Sequence, residues 1–386
     1  MPFIKASRIH NGHRFVTEGS IIEITEDGTI INIHGSSHFT EQPVQEYKGI
    51  ICPGFVNVHC HLELSHMHGV IGEGEGLVTF LQQVMLQRNN FSSEEKNAAL
   101  QQALGRMKAA GTVAVGDIAN TADTLEPRLA AAMHFHTFIE SIGFTDDHAA
   151  DRFLWPQKIY EQFAGQPSAD YLLRQSIVPH APYSVSPALF GLIDQHKSKS
   201  LVSIHNEETL AENEYYREKS GRMKELYDAL HIDDAFFTPS GKTSLQTCMP
   251  YLSKDHPLIL VHNTYMEEQD TDWLQGENRE YYLCLCPNAN WYIERRMPPI
   301  PLFLKKDMNI CLGTDSLASN HQLSILAEIQ TIKSHFPGID IETLLRWGTL
   351  NGAKALQMEH IIGSLEAGKR PGIILIDEEE QIKVLY

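Results

Sequence analysis

The chain has 386 residues, enough for one large domain or two ordinary ones, with 42% apolar and 21% charged residues, as in an ordinary globular protein. Lys plus Arg total 31 against 49 Asp plus Glu, a formal charge of −18 at pH 7, which argues against a nucleic-acid surface and against a polybasic membrane anchor. No run approaches the ~20 apolar residues of a spanning helix, and "MPFIKASRIHNG" lacks the apolar stretch of a signal peptide, so a cytosolic protein with reduced thiols is expected.

The first fifty residues read as short strands. "RFVTEGSIIEITEDGTIINIHG" alternates apolar and polar residues about the turn "EDG". "GIILIDEEEQIKVLY" repeats the pattern at the other end, two strand-like runs about a charged turn. Neither stretch has a core of its own. The simplest solution joins residues 1–50 and 364–386 into one small β domain, expected as a β-sandwich, beside a larger domain spanning 51–363.

Between the two ends the pattern changes to strands alternating with helices. Strand candidates are "GIICPGFVNVH", "TVAVGDIA", "HFHTFIESI", "LLRQSIVPH", "LVSIHNE", "PLILVHN", "YYLCLCPN" and "NICLGTD". Helical stretches such as "SSEEKNAALQQALGRMKAAG", with a Ser start and a Gly stop, separate them. Eight such units suggest an α/β fold, a (β/α)8 TIM-type barrel, and not an open sheet. The polar segment "AENEYYREKSGRMKELYDALHIDDAFF" reads as a helical insertion over the barrel mouth. Of the six cysteines, Cys52, Cys284, Cys286 and Cys311 lie in apolar strand-like runs, where a free thiol acts as a small hydrophobe. The Cys284–Cys286 pair has no second thiol pair or histidine at zinc-site spacing.

Side chains two apart on a strand share a face. In "FVNVHCHLELSH" that places His59 and His61 side by side. Catalytic residues of such barrels lie at the C-terminal ends of the strands, so the polar residue at each end is a test with few free choices. Strand one ends in His59 and His61, strand four in His180, strand five in His205 and Glu208, strand six in His262 and strand eight in Asp315. One such histidine would be an ordinary satisfied core residue. Five with an aspartate at one end of a barrel are costly as core filling, because buried imidazoles need partners, and they suit a metal.

The motifs "PGFVNVHCHLE", "PHAPYSVSP", "HNEET", "VHN" and "GTDSLASN" resemble those of the amidohydrolase superfamily. Within it the likeness is to the branch of cytosine, guanine and S-adenosylhomocysteine deaminases. It covers essentially the whole chain, including "GSLEAGKRPGIILID". The resemblance implies one divalent metal per chain, Zn2+ or else Fe2+, on His59, His61, His205 and Asp315. It implies Glu208 as the proton carrier, His262 as hydrogen-bond partner of the nucleophile and of the developing charge, and Asp315 as both ligand and proton acceptor. Glu208 has a plainer reading as a helix-start carboxylate, a role that suits its neighbour Glu207 better. Binuclear members carry a carboxylated Lys at the end of strand four. Here His180 stands in that stretch, so one metal is expected, with His180 assigned to substrate.

Glu63 and Ser65 give the form His-x-His-x-Glu-x-Ser, which resembles 6-aminodeoxyfutalosine deaminases of menaquinone biosynthesis. Glu63 would then accept hydrogen bonds from a ribose diol, or else be a carboxylate held within its loop. "NWYIERRMPP" brings Trp291, Arg295 and Arg296 toward the mouth, where an Arg could meet a substrate carboxylate; a solvated Arg pair is the plainer explanation. The expectation is an aminohydrolase for a purine nucleoside derivative, with 6-aminodeoxyfutalosine in front. Guanine, cytosine and S-adenosylhomocysteine or 5'-methylthioadenosine deaminases are the alternatives, with a triazine or amide hydrolase sharing the same metal shell. A non-catalytic scaffold would be expected to lack ligands, and none is missing. The expected partner is a small molecule, with neither nucleic acid nor membrane, and a homodimer is the assembly left open.

Overall fold

The structure, a computed structural model, describes residues 2–37, 43–166, 168, 170–235 and 237–386. Strands from both ends of the chain meet in one mixed six-stranded sheet, in the order Ile382–Val384, Ile373–Ile376, Val44–Pro53, Phe3–Ile9, Ile21–Ile24, Ile30–His34. The turn "EDG" does what its residues suggest: Thr25 N–H donates to Thr29 O at 2.9 Å, and Asp27 Oδ1 accepts from Thr29 N–H at 3.3 Å. Ile4, Ile22, Ile24, Ile30, Ile51 and Ile373 pack as a core separate from the rest. In hydrogen bonding, the expected sandwich is a single continuous sheet among the described residues. Its long strand carries on to Pro53, three residues beyond 50.

Eight further strands form two parallel four-stranded sheets. One runs Phe55–Cys60, Thr112–Ala119, His134–Ser141, Leu173–Pro179; the other Val202–Asn206, Leu258–His262, Tyr281–Leu285, Ile310–Leu312. They are called strands one to eight below. Their burial is nearly continuous on both faces, as expected where helices cover a parallel sheet. "GIICPGFVNVH" divides at Gly54 between the mixed sheet and the first parallel sheet, because Gly54 N–H turns to the carbonyls of Pro371 and Gly372. The two parallel sheets touch at their edges: His205 N–H donates to His180 O at 3.0 Å, and Thr314 and Asp315 N–H both donate to His59 O at 3.0 and 3.1 Å.

Helix Ser93–Ala109 begins with a capping box, in which Ser92 and Glu95 satisfy each other's backbone N–H. The polar insertion forms helices Leu210–Glu218 and Arg222–Ala229. No helix among the described residues is long and apolar enough to cross a membrane.

Candidate metal centre and active-site cavity

Strand one ends by aiming two imidazoles at one point. His61 Nε2 lies 3.2 Å from His59 Nε2 and 3.3 Å from His205 Nε2. Asp315 Oδ1 is 3.4 Å from His61 Nε2 and 3.8 Å from His59 Nε2. A tetrahedral ion with bonds of about 2.0–2.1 Å to nitrogen has donor–donor edges of about 3.3–3.4 Å. The donor set therefore fits a divalent cation: His61 Nε2 stands at about that edge length from both His59 and His205, and the ligand atoms of all three lie within 4.8 Å of one another.

The neighbours fix which nitrogens are bare. His205 Nδ1 donates to the His180 carbonyl at 2.7 Å, leaving Nε2 with its lone pair toward the cluster. Ser319 Oγ donates to Asp315 Oδ2 at 2.6 Å, which turns Oδ1 to the histidines. Asp315 holds the left-handed conformation, φ 58°, a strained geometry of the kind that collects at functional sites. Gly313 permits the approach, since a Cβ there would stand 2.9 Å from both His59 Cβ and Cys284 Sγ. Burial pushes His61 down to about 3, and His180 and His262 down to about 4, so these rings are neutral donors. Burial works to raise Asp315, but the His59 hydrogen bond and nearby His61 and His262 hold its carboxyl well below the usual range.

Glu208 and His262 stand beside the cluster. His262 Nδ1 donates to Asn290 Oδ1 at 2.8 Å, and its Nε2 is 3.6 Å from Glu208 Oε1. Burial drives Glu208 well above the carboxylate range, and the charges of Asp315, Glu294 and Glu212 add to the effect. A carboxyl tuned upward in a site like this can carry a proton at neutral pH.

These residues form the floor of a cavity of about 380 Å3. Its outer wall is apolar: Leu77, Phe80 and Val84 from helix Leu77–Gln87, then Leu226, Leu230 and Ile232 from and just after helix Arg222–Ala229. Arg222 Nη2 donates to Thr79 Oγ1 at 3.0 Å and ties the two helices together. The insertion thus supplies Leu226, Leu230 and Ile232 to the wall of the cavity that holds the histidines.

His180 and Glu63 line the cavity. Glu63 Oε2 accepts from Asn120 N–H, Thr121 N–H and Thr121 Oγ1 at 3.0–3.1 Å, and among the described residues Oε1 takes only Arg88 at 3.2 Å. Oε1 therefore keeps capacity for another donor. Four expected contacts need correction. Ser65 Oγ donates to Leu62 O at 2.7 Å within its turn. Trp291 faces outward from helix Pro287–Glu294, 40% exposed, with its ring against His335. Arg295 pairs with Glu73, and Arg296 lies over the Tyr265 ring at 4.5 Å. None of the four lines the cavity. That helix points Asn290, not Trp291, toward the site.

The cavity's arginines are instead Arg88 and Arg152. Strand-end reasoning also passed over Glu140 and Asn120, although they end strands three and two by the same rule. Asn120 Nδ2 donates to Glu140 Oε2 at 2.8 Å, and burial pushes Glu140 up to about 8.

The chain is similar to known proteins along most of its length. The chain is 25% identical over 376 residues to the 5-methylthioadenosine/S-adenosylhomocysteine deaminase of Halalkalibacterium halodurans, covering 92% of this chain and 79% of that one. The crystal structure of Helicobacter pylori aminofutalosine deaminase in complex with methylthio-coformycin superposes with a TM-score of 0.81 at 19% identity, covering 99% and 94% of the two chains. A zinc-bound adenosine deaminase from Xanthomonas campestris gives 0.74 at 22% identity, over 97% and 84%. The fold is accordingly of the TIM-barrel type. Residues 50–385 match the Amidohydrolase family, and with that match the chain belongs to the family its strand-end histidines pointed to.

Proposed function

We propose that the protein removes the exocyclic amine of a purine nucleoside carrying a 5' extension, with 6-aminodeoxyfutalosine the leading substrate. The observation that carries this reading is the cavity's lining, which joins polar residues such as His61, His205, Glu208 and Asp315 to the apolar Leu77, Phe80, Val84 and Leu226. A free base would occupy only the floor. The deaminase relatives named above support the class, and a cytosolic place in menaquinone biosynthesis goes with the leading substrate. In this reading residues 51–363 form one closed (β/α)8 barrel, and 1–50 with 364–386 form the small β domain. A homodimer is the proposed assembly.

His59, His61, His205 and Asp315 would hold one divalent ion, zinc in preference to iron. Such an ion would lower the pKa of a water toward neutrality and so supply the nucleophile. Glu208, protonated at Oε1, would give one proton to the ring nitrogen; the second proton, from the hydroxyl left on the carbon, would pass through the same carboxylate to the amine, so that ammonia leaves as the C–N bond breaks and the C=O bond forms. His262 Nε2, kept bare by the Asn290 bond at Nδ1, would accept a hydrogen bond from the attacking nucleophile. Asp315 is available as a second proton acceptor. His180 contacts the ring or sugar, and Glu63 Oε1 receives the ribose hydroxyls.

Ammonia release from 6-aminodeoxyfutalosine, 5'-methylthioadenosine, S-adenosylhomocysteine, adenosine, guanine and cytosine tests the proposal. The expected order places the extended nucleosides first. Faster turnover of guanine or cytosine than of any nucleoside would overturn the substrate assignment and leave the deaminase mechanism intact. The second reading, a methylthioadenosine or S-adenosylhomocysteine deaminase, is favoured by the Halalkalibacterium relative and has its own arm in the same panel.

A further inference from the structure

The residues that carry Glu208 into the site are held by a carboxylate that the mechanism above does not use. Glu212 is fully buried on helix Leu210–Glu218. Its Oε1 accepts from Glu207 N–H at 3.1 Å and from Ser244 Oγ, and its Oε2 accepts from Glu208 N–H at 3.4 Å. No salt bridge reaches Glu212 among the described residues, so its partners are those backbone amides and one hydroxyl.

An ordinary acidic residue at this position of a helix would reach back to the amide of the residue that starts it, completing a capping box. The starting residue here is Thr209, whose side chain makes no cap. The carboxylate passes over it to the two residues before. Those two form the turn out of strand five. Glu207 lies in the left-handed region, φ 46°, a conformation costly for a residue with a Cβ unless the surroundings impose it. Tyr265 N–H donates to Glu207 O at 2.9 Å and Asn213 Nδ2 to Glu207 Oε1 at 3.2 Å. One carboxylate thus fixes both amides of the strained turn, and the turn decides where the Glu208 side chain goes.

We propose that Glu212 is a positioning residue for turnover: by holding the amides of Glu207 and Glu208 it aims Glu208 at His262 and the substrate. The inference rests on Glu208 being the proton carrier. Displacing a catalytic group by about 1 Å costs about 100-fold in rate. Glu212→Gln keeps the size and one acceptor oxygen but sets an NH2 against an amide N–H, so the turn is displaced without an empty volume. The expected result is a fall in kcat of about 10- to 100-fold, with KM within about threefold and metal content unchanged.

The decisive measurement is the pair with Glu208→Gln, on whichever compound of the substrate panel turns over fastest. If Glu212 acts through Glu208, Glu212→Gln causes no further loss once Glu208 is already Gln. Multiplying losses in the double variant, or an unchanged kcat in Glu212→Gln, would overturn the inference. So would a loss of kcat matched by loss of metal. Should Glu212→Gln fail to fold, Ser244→Ala, which frees only the hydroxyl bond, is expected to lower kcat about 2- to 10-fold with a normal circular-dichroism melt; unchanged kcat there overturns the inference too. Wild-type turnover in Glu208→Gln alone would instead sink the proposed mechanism, which keeps the two failures distinct.

Discussion

The chain contains His-x-His twice on a strand, and the two copies do opposite things. His59 and His61 sit at the C-terminal end of strand one, where Asp315 and His205 arrive from other strands. His134 and His136 open strand three at its other end. There His134 Nδ1 accepts from Leu172 N–H at 2.9 Å, while His136 Nε2 meets Ser176 Oγ at 3.0 Å and its ring stacks on Phe138 at 4.5 Å. One nitrogen of each of these rings is taken by a neighbour. Spacing by two gives only a shared face. The end of the strand decides whether that face meets other ligands or a finished core.

Breaking the first pair should have the largest effect. Wild-type protein is expected to carry about one Zn2+ or Fe2+ per chain, and His59→Ala or Asp315→Ala to lose the ion together with at least about 1000-fold in turnover. Elemental analysis is the measurement, and two ions per chain would contradict the reading of strand four. Next comes Glu208→Gln, expected to keep the ion and lose about 100- to 10,000-fold in kcat, since it removes a proton carrier and no ligand. Rates like those of wild type would move the proton transfer elsewhere, with Asp315 the first candidate.

Smaller again is Glu63→Ala. If Oε1 receives the ribose diol, kcat/KM for a nucleoside should drop about 10- to 100-fold, about 1–3 kcal/mol, with little change for guanine. Equal losses on both would assign Glu63 to holding its loop through Asn120 and Thr121.

The smallest effect belongs to the second pair. His136→Gln should retain the ion and turn over within about twofold of wild type. Its signature lies in stability against pH. Burial holds His136 down at about 3 in the fold, against about 6.5 in the unfolded chain. The unfolded state therefore takes up a proton below pH 6.5 that the folded state refuses until about pH 3, and the stability present above pH 6.5 is lost as pH falls across that window. Urea midpoints at pH 7.5 and 5 should converge in His136→Gln relative to wild type. An unchanged difference would mean that other buried histidines, such as His134, dominate the acid response.

Much of this was readable beforehand. Strand two appears as "TVAVGDIA" and forms as Thr112–Ala119, because a strand buried on both faces is a plain apolar run. The clustering of His59, His61 and His205 was readable because the end of a strand is a fixed place; which of the strand-end residues would hold an ion came only from the family resemblance. What lay beyond reach came from helices and loops whose approach is set by tertiary packing. Arg88 meets Glu63 from the far end of helix Leu77–Gln87. Trp291 and Arg295 look like mouth residues in the sequence, yet the turn of their helix carries them away.

The sheet that joins both ends of the chain has a consequence for how the molecule comes into being. Val44–Pro53 pairs on one side with Phe3–Ile9, close in sequence, and on the other with Ile373–Ile376, roughly 320 positions later. During synthesis the first pairing can form early, while the second edge stays open until nearly the whole chain has left the ribosome. An open edge bearing "GIICP" is a template for pairing with another copy. Contacts so distant in sequence also form slowly, because loop closure comes first. The helices between must therefore cover their own strands early, and a chain cut before residue 373 would fold its inner sheets and still leave an adhesive edge exposed.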